Sequence, residues 1–342
     1  MSRSGRAFPE ELPKAEIHLH LEGAVELETV LELRRRHSRT ADDGARRRLA
    51  ELYQHADFPQ FLLHFRDLCG ELSTPEDFAL ITTRLAQRLE NERVRHAEVM
   101  VSPQIHARRG LPADEILDAI AEAAQAAARG GPRIRFLLDG VRQWGPGGIE
   151  DLVELAERSR RFGVIGIGMG GDESSHATAE FATAYREARR LGLRTTVHAG
   201  EFAGPRSVWE AIELLRVDRI GHGVRSIEDL ELVRALKDLG LPLECCPTSN
   251  LRTRVVASWT SHPIAALHRS GVMVTVGTDD PAMFGATLNG EWRALHERAG
   301  LRRDEVLAIG RATIDAAFLD DGARAALVGE FEAARSEMEG EA

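Results

Sequence analysis

Short apolar runs alternate with longer amphipathic segments along the whole chain. Eight of these runs are compact and rich in β-branched residues, which is typical of buried strands. The segments between them, such as ADEILDAIAEAAQAAARG and IEDLVELAERSRRFG, have apolar residues at helical spacing and end at a glycine. Strand and helix therefore alternate eight times, which predicts a parallel sheet closed into a (β/α)₈ TIM barrel. The predicted strands are Ala15–Leu21, Val94–Val101, Arg133–Val141, Val164–Gly170, Arg194–Gly200, Arg219–Val224, Pro242–Pro247 and Met273–Asp280.

One interval is longer than a barrel unit requires. Residues 22–93 lie between the first two predicted strands, where one helix and two loops would suffice, and they have the pattern of several helices. Within them, the aromatic-rich run FPQFLLHF at Phe58–Phe65 lies on the face where barrels have their active sites. The insertion is therefore either a lid over a site or an extra helical pack that covers the barrel. Residues from about 303 to 342 are expected to form closing helices and a tail.

The length alone allows either two domains or one enlarged barrel, and the strand count favours a single barrel domain over residues 1–342. The net charge is −10, so the chain is not expected to bind nucleic acid, which requires a basic face. No run approaches the roughly 20 apolar residues of a membrane span, and the N-terminus does not resemble a signal peptide. The three cysteines do not make a disulfide framework. We therefore expect a cytoplasmic protein, and the oligomeric state stays open.

Candidate chemistry lies at the ends of the predicted strands. The first strand ends in His18-Leu19-His20, and because side chains alternate across a strand, both imidazoles point to the same side. Such a pair is half of a metal site or, taken alone, two ordinary polar residues. The same two interpretations apply at the ends of three further strands, which carry His198 with Glu201, His222 between two glycines, and Asp279 with Asp280.

The carboxyl ends of the strands in a parallel barrel lie on one face, so these residues are expected to converge. Three histidines and one carboxylate suit a divalent metal such as Zn²⁺ or Fe²⁺, with a position left for water. A water on such a metal loses its proton near neutral pH and becomes a nucleophile. The pattern therefore predicts metal-assisted hydrolysis, with Glu201 or His222 handling protons, and does not by itself identify the substrate.

Six motifs occur in order along the chain, namely LPKAEIHLHLEGA, GGDE, HAGE, RIGHG, CPTSN and GTDDP. Together they resemble the adenosine deaminase family of the amidohydrolase superfamily, and the resemblance extends from about Leu12 to Asn289. It implies a (β/α)₈ barrel that holds one catalytic divalent metal, usually zinc. The ligands that it implies are His18, His20, His198 and Asp279.

The resemblance also implies roles for the other motif residues. Glu201 would be protonated and hydrogen-bond N1 of a purine, which helps to make C6 electrophilic. His222 would position the metal-bound water and help to deprotonate it. Asp280 would form a hydrogen bond with N7, and the backbone N–H of Gly171 would meet N3. Hydroxide would add to C6 and ammonia would leave, so that a 6-aminopurine becomes a 6-oxopurine.

A glutamate that stays protonated at neutral pH needs a raised pKa, which a closed apolar pocket supplies. This requirement favours the lid interpretation of the insertion. An apolar lid would exclude water and contact the flat base. The residues expected to form this contact are Phe58, Phe61, Leu62 and Phe65.

The part of the substrate beyond the base is less determined. The motif His20–Gly23 (HLEG) has Glu22 where adenosine-specific members commonly have an aspartate near the ribose 5′-hydroxyl, and glutamate occurs there in members that accept free adenine or other adenine nucleosides. Residues 286–289 (ATLN), however, resemble nucleoside-type members. We therefore rank adenosine or 2′-deoxyadenosine first, with inosine or 2′-deoxyinosine as product. Aminodeoxyfutalosine comes second and free adenine third, and the acidic charge favours a neutral nucleoside over a nucleotide.

Three other classes are less consistent with the motifs. Related barrels that cleave cyclic amides or phosphoesters often use two metals bridged by a carboxylated lysine, and the strand ends GMGGDE and VHAGE contain no lysine. The cytosine-type zinc deaminases use His-x-Glu followed by Pro-Cys-x-x-Cys, which this chain lacks. A purine-binding barrel without activity would have lost one of the acid–base residues. All of them, Glu201, His222, Asp279 and Asp280, are present.

Overall fold

The computed structural model describes residues 8–340, and its sheet has eight parallel strands in chain order. The barrel closes where the first and last strands meet at Asp279. The backbone N–H of Asp279 donates to the carbonyl of His18, and the carbonyl of Asp279 accepts from the N–H of His20. The fold is therefore the predicted (β/α)₈ TIM barrel. The strands are Lys14–His20 (β1), Val94–Val101 (β2), Arg133–Val141 (β3), Val164–Gly170 (β4), Arg194–Ala199 (β5), Arg219–His222 (β6), Leu243–Cys245 (β7) and Val274–Val276 (β8).

The strands β2, β3 and β4 have the predicted bounds, whereas the other five end earlier than predicted. The difference is largest at β8, which was predicted to continue to Asp280 and ends at Val276. Asp279, three residues further on, has a left-handed φ of 62°, which lies outside the strand region, although its backbone still bonds to β1. His222, with a φ of 57°, likewise ends β6 two residues before the predicted Val224. The predicted strand ends were thus too long where the chain turns to present polar side chains.

A layer of helices surrounds the sheet. Within residues 8–340 the α-helices are Leu27–Arg36 (α1), Asp43–Glu51 (α2), Phe58–Cys69 (α3), Pro75–Asn91 (α4), Pro103–Ala107 (α5), Ala113–Ala127 (α6), Gly145–Arg158 (α7), Ala182–Arg190 (α8), Pro205–Glu210 (α9), Leu230–Leu239 (α10), Pro247–Arg252 (α11), Ile264–Arg269 (α12), Pro281–Phe284 (α13), Leu288–Glu297 (α14), Arg303–Ala316 (α15) and Asp321–Gly340 (α16). The helix α6 shows why apolar spacing predicts them: Ile116, Leu117 and Ile120 recur on one face and are fully buried.

The segment 22–93 contains α1 to α4. Of these, α4 packs against β2 and α6, so it occupies the place of the barrel's own first outer helix. The helices α1, α2 and α3 are therefore the additional structure, and α3 carries the aromatic run predicted at Phe58–Phe65. It begins at Asp57, whose carboxylate accepts a hydrogen bond from the N–H of Gln60 and caps the helix. That α3 acts as a lid stays a prediction.

The C-terminal segment completes the helical layer. The helix α15 packs against β8 and β1, next to the point where the barrel closes, and α16 packs on α15. In α15, Val306, Ile309 and Ile314 are buried. Residues 1–7 and 341–342 of the predicted domain lie outside the described residues. No helix in the described part of the chain is long and apolar enough to cross a membrane.

A buried ion cluster lies inside the barrel. Arg219 on β6 contacts Glu98 Oε2 at 2.6 Å and Glu244 Oε1 at 2.5 Å, and all three side chains are excluded from solvent. Each carboxylate in the cluster therefore has a cation against it, which offsets the cost of burying its charge. The other oxygen of Glu244 lies 2.8 Å from His18 Nδ1, so the cluster extends to the candidate site at the end of β1.

Candidate active site

The structure brings together the four histidines and the aspartate that the strand ends predicted. His18 and His20 lie on β1, His198 on β5, His222 on β6, and Asp279 follows β8. The imidazole centroid of His18 is 4.8 Å from that of His198, 5.0 Å from that of His222 and 5.7 Å from that of His20. All five side chains are buried. The barrel topology explains this, because parallel strands deliver their carboxyl ends to one face.

Two of these imidazoles are oriented by an acceptor at Nδ1. His18 Nδ1 lies 2.8 Å from Glu244 Oε2, and His198 Nδ1 lies 3.0 Å from the carbonyl oxygen of Met169. With a proton held on Nδ1, Nε2 is the nitrogen of each ring that faces the cluster and that a metal would bind. His18 Nε2 is buried, has no hydrogen-bond partner and lies 3.5 Å from Asp279 Oδ1. This unsatisfied nitrogen is what a metal would satisfy.

A divalent metal fits the donor set. The donor atoms form two groups that share Asp279, and within each group the atoms lie within 4.8 Å of one another. The groups are His18, His198, His222 and Asp279, and His20, Asp279 and Asp280. Imidazoles together with one carboxylate are typical zinc ligands. The predicted ligand His20 approaches Asp279 Oδ1 at 3.4 Å, and the structure brings His222, which was predicted to act on protons, into the cluster as well.

Asp279 is oriented by its neighbours on three sides. Its backbone hydrogen bonds to β1 hold the left-handed φ of 62°. The Ser249 hydroxyl donates to Asp279 Oδ2 at 2.6 Å, which leaves Oδ1 facing His18 and His20. Burial alone would raise the pKa of Asp279, but its contacts with His18 and His20 outweigh burial and lower it well below its usual range. Asp279 is therefore a permanent anion at the centre of the cluster.

Glu201 lies in the loop after β5, and Glu173 of the GGDE motif organises that loop. The buried Glu173 carboxylate accepts hydrogen bonds from four consecutive backbone N–H groups, a charge-assisted arrangement that fixes the loop. The donors are Gly200, Glu201, Phe202 and Ala203. The side chain of Glu201 lines the cavity, with Oε2 3.6 Å from His222 Nε2.

The carboxyl groups of Glu201 and Asp280 differ from Asp279 in their protonation. Burial, followed by repulsion from Asp279, raises the pKa of Glu201 well above its usual range. Burial likewise raises the pKa of Asp280 well above its usual range. Burial lowers the pKa of His222 to about 3, so this ring is neutral. The pair formed by Glu201 and His222 thus consists of a carboxyl group able to donate a proton and an uncharged imidazole.

A cavity of about 270 Å³ opens beside the cluster at the carboxyl face of the barrel. The ring of Phe58 stacks on Phe202 with centroids 3.9 Å apart, and that of Phe61 lies 4.8 Å from Phe284. These contacts hold α3 against the loops that follow β5 and β8. The predicted residues that line this cavity are His20, Phe58, Phe61, Leu62, Phe65, Gly171, His198, Glu201, His222, Asp279 and Asp280.

Glu22 is the one predicted substrate contact that the structure does not bring to the cavity surface. Its side chain is fully buried, and Oε1 accepts a hydrogen bond from the N–H of Ser102 at 3.0 Å and lies 3.3 Å from His106 Nε2. Ser102, rather than Glu22, lines the cavity at this point of the described chain. The strand-end motif located Glu22 correctly along the chain, but the direction of its side chain follows from partners that are 80 or more residues away.

Several site residues had no predicted role. Glu173, Ser249 and Asn250 lie in the motifs GGDE and CPTSN, which had supported the resemblance only as patterns. Asp139 lines the cavity at the end of β3, where it lies 3.8 Å from His20 Nδ1 and one of its oxygens has no hydrogen-bond partner. A charged residue near the end of an apolar strand was the available signal for Asp139. Glu244 gave a similar but weaker signal on the short strand β7.

The fold and the site define a metal-dependent hydrolase, in which a (β/α)₈ barrel presents a His/Asp cluster and a buried carboxyl group to an apolar cavity. The family model described as adenosine deaminase matches residues 13–334. The chain belongs to the adenosine deaminase family, as its six motifs predicted. It is therefore an enzyme that hydrolyses C–N bonds of cyclic amidines.

Two relatives and a solved structure are similar to nearly the whole chain. The adenine deaminase of Rhizobium rhizogenes is 38% identical over 318 residues, which is 93% of this chain and 98% of that protein. The aminodeoxyfutalosine deaminase of Streptomyces avermitilis is 35% identical over 333 residues, 96% of this chain and 93% of that protein. The crystal structure of an amidohydrolase from Burkholderia ambifaria with bound Zn is similar with a TM-score of 0.87 at 27% identity, covering 99% of this chain and 98% of that one.

Proposed function

We propose that this enzyme deaminates a 6-aminopurine by hydrolysis, releasing ammonia and leaving a 6-oxopurine. The observation that supports this most is the meeting of the His/Asp cluster with the Glu201 carboxyl group in a cavity that Phe58, Phe61 and Phe65 also line. A planar base would lie against the aromatic rings while its C6 faces the cluster. Hydrolysis at C6 needs a nucleophilic water and a proton donor on the same side of the ring, and both are provided there.

The residues proposed to hold the metal are His18, His20, His198 and Asp279. When bound, the metal, zinc first and iron second, supplies a water that is deprotonated near neutral pH. Glu201 donates a hydrogen bond to N1 and transfers its proton there as the water oxygen bonds to C6. His222 contacts the attacking oxygen. The C6–N bond then breaks: the proton still on the attacking oxygen passes to the amino nitrogen, which leaves as ammonia, and the proton that the water lost replaces the one that Glu201 gave to N1.

The order of the strands then predicts what faces the rest of the purine. In this orientation, Glu201 after β5 meets N1, the N–H of Gly171 after β4 meets N3, and Asp280 after β8 meets N7. Around the edge of the purine, N9 lies between N3 and N7. It therefore faces the part of the barrel made by β3, β2 and β1, opposite the side where Glu201 meets N1. Asp139 at the end of β3 is the cavity-lining carboxylate on that side. Its carboxylate suits an N–H or O–H donor of the substrate.

Free adenine carries an N–H at N9 in its common tautomer and matches this acceptor directly. The relative from Rhizobium rhizogenes is named an adenine deaminase, and Glu22, the residue expected to stand near a ribose, is turned away from the cavity. We therefore propose adenine as the first substrate. Aminodeoxyfutalosine is the second, because the relative from Streptomyces avermitilis is named an aminodeoxyfutalosine deaminase and the aromatic side chains of α3 line the cavity. Adenosine, ranked first from the motifs, stays as the third candidate.

The experiment measures ammonia release by the zinc-loaded enzyme from adenine, 9-methyladenine, adenosine, 2′-deoxyadenosine, aminodeoxyfutalosine and 5′-AMP. We expect adenine to have the highest kcat/KM and chelation of the metal to abolish turnover. The variant Asp139→Ala should lower kcat/KM for adenine by about 10–100-fold, as expected for the loss of a hydrogen bond to a charged group, and change 9-methyladenine much less. Asp151→Ala, on the exposed face of α7, is the matched control.

Two results would contradict the proposal at different levels. If no 6-aminopurine releases ammonia, the reaction itself is not the one proposed. If adenosine or aminodeoxyfutalosine has a kcat/KM at least about tenfold above adenine, the reaction stands and the substrate order is wrong, since a tenfold ratio corresponds to about 1.4 kcal/mol of transition-state binding.

A further inference from the structure

A chain of hydrogen bonds leads from a backbone amide at the start of α12 to the ring of His222. The N–H of Ile264 donates to His262 Nδ1 at 3.1 Å. His262 Nε2 lies 3.3 Å from Asn250 Oδ1, and Asn250 Nδ2 lies 3.2 Å from His222 Nδ1. The side chains of His262, Asn250 and His222 are all buried, so water does not compete for these contacts. We name the pair Asn250 and His262 the Asn–His relay.

The backbone N–H of Ile264 determines the direction of every hydrogen bond in this series. A backbone amide can only donate, so His262 Nδ1 accepts, and a neutral imidazole must then carry its proton on Nε2. That Nε2–H donates to the carbonyl oxygen of Asn250. The amide nitrogen of Asn250 is thereby left to donate to His222 Nδ1. His222, as the acceptor at Nδ1, carries its own proton on Nε2.

The protonated nitrogen of His222 is the one that faces the site. His222 Nε2 lies 3.6 Å from Glu201 Oε2 and 3.8 Å from Asp279 Oδ2. With a proton there, the ring donates to oxygen atoms and can neither take up a proton nor bind a metal through this nitrogen. The opposite tautomer would place an N–H of His222 against an N–H of Asn250, which is a contact between two donors.

Two other imidazoles of the cluster have the opposite arrangement. His18 and His198 face acceptors at Nδ1, namely a carboxylate oxygen of Glu244 and the carbonyl oxygen of Met169. Both rings therefore keep a proton on Nδ1, and Nε2 is the nitrogen that a metal would bind. Three imidazoles whose centroids lie within about 5 Å of each other thus differ in tautomer because their Nδ1 partners differ. The partner of His222 is a donor, and this separates it from the metal ligands.

We propose that Asn250 and His262 are positioning residues that keep His222 in the Nε2–H tautomer, so that His222 serves the reaction as a hydrogen-bond donor to the attacking oxygen. This differs from the role implied by the family resemblance, in which this histidine helps to deprotonate the water. The identity of the attacking oxygen rests on the proposed function, whereas the tautomer itself does not.

The variant Asn250→Asp reverses the relay with almost no change in shape. An aspartate can only accept, so it takes the hydrogen bond from His262 Nε2–H and calls for a proton on His222 Nδ1. We expect kcat to fall by about 10–100-fold, while KM and bound zinc stay within about twofold of the parent, as expected for the loss of a residue that orients another. Asn91→Asp, at the exposed end of α4, makes the same charge change away from the site and serves as the control.

The direct readout is the ¹⁵N spectrum of the histidine side chains in zinc-loaded protein. The His222 signals are assigned by their absence in His222→Gln. In the parent we expect Nε2 to have the shift of a protonated nitrogen and Nδ1 that of an unprotonated one, and the two shifts to exchange character in Asn250→Asp. A parent protein with the proton on His222 Nδ1 would overturn the proposal, as would Asn250→Asp with an unchanged kcat.

If Asn250→Asp does not fold, His262→Gln tests the same relay from its other end. It removes the imidazole that orients the Asn250 amide, and we expect a His222 spectrum of mixed tautomers with a smaller loss of kcat. His268→Gln, which changes a histidine near the end of α12, is its control. Because the spectrum is read without turnover, failure of the enzyme to deaminate any purine would contradict the proposed function and leave the tautomer result to stand by itself.

Discussion

Two groups of buried carboxylates lie inside the same barrel and differ in what surrounds them. Glu98 and Glu244 lie on either side of Arg219, with oxygen to nitrogen distances of 2.6 and 2.5 Å. Glu201 and Asp139 line the cavity at the carboxyl face, and neither has an Arg or Lys within ion-pair distance in the described residues. All four side chains are almost completely excluded from solvent. Burial is thus common to both groups, and the presence of an arginine separates them.

The pKa values show the consequence. Burial raises the pKa of Glu244, but Arg219 outweighs burial and brings it down to about 2. Burial raises the pKa of Asp139 to about 6, and the nearby His20 only partly opposes it. A paired carboxylate stays charged and supports the fold, whereas an unpaired one keeps unsatisfied hydrogen-bonding capacity that a substrate can use. We therefore expect substitutions in the two groups to separate stability from activity.

The largest effect is expected from Glu201→Gln. This change keeps the shape of the side chain but removes the proton that Glu201 is proposed to give to the base, so kcat should fall by about 10²–10⁴-fold. The free energy of unfolding and the bound metal should be unchanged, since Glu201 has no cation to lose. Turnover, metal analysis and urea unfolding measure the three quantities. Glu154→Gln on the exposed face of α7 is the control, and a Glu201→Gln enzyme nearly as active as the parent would refute the assignment.

The next effect is expected from Arg219→Met. It leaves Glu98 and Glu244 buried beside each other without their cation, which should lower the free energy of unfolding by about 3–5 kcal/mol. Urea unfolding at pH 7 measures the loss. Adding Glu98→Gln to Arg219→Met should restore part of it, because one of the two unpaired charges is then gone. Arg158→Met, an exposed arginine of α7, is the control, and a loss below about 1 kcal/mol would show that the cluster is not held by this pairing.

The smallest effect concerns Glu291, a third kind of buried carboxylate. On α14 it accepts from the N–H of Thr248, at 3.2 and 3.3 Å, and burial raises its pKa from 4.5 to about 8. Between these two pH values the folded protein binds more protons than the unfolded chain, so the free energy of unfolding should fall as the pH rises through this range. Glu291→Gln should remove that dependence and make the protein about 1–3 kcal/mol more stable than the parent at pH 9.

Urea unfolding at pH 5 and pH 9 checks this prediction, with Glu297→Gln on the same helix as the control. Parallel pH profiles of the parent and of Glu291→Gln would contradict it. Such a result would mean that the hydrogen bonds from Thr248 are enough to keep a buried carboxylate ionised, and would weaken the distinction between the paired and the unpaired groups.

The fold could be predicted to the level of individual strands where the local pattern is unbroken. The bounds of β2, β3 and β4 follow directly from their apolar runs, because these strands stay in the ladder over their whole length. The ends of β6 and β8 were predicted too long. At His222 and Asp279 the backbone takes a positive φ, and a pattern of apolar residues carries no information about that turn.

The site was predictable as a set of residues and less so as a set of contacts. His18, His198 and Asp279 could be placed together because the ends of parallel strands share one face of a barrel. The direction of Glu22, which turns into the wall towards Ser102, could not be predicted. Nor could the contact of His262 with Asn250, since His262 lies in a loop before α12 and carries no motif.

The sequence by itself determined the number and order of the strands, the family, and which side chains stand at the carboxyl edge, because apolar period and strand-end position are local properties of the chain. Only the tertiary structure decided what each of those side chains does. The tautomers of His18 and His222 depend on whether Glu244 or Asn250 lies against Nδ1, and these partners come from other strands and helices. Protonation and hydrogen-bond direction depend on contacts between distant segments, and such contacts exist only once the barrel has closed.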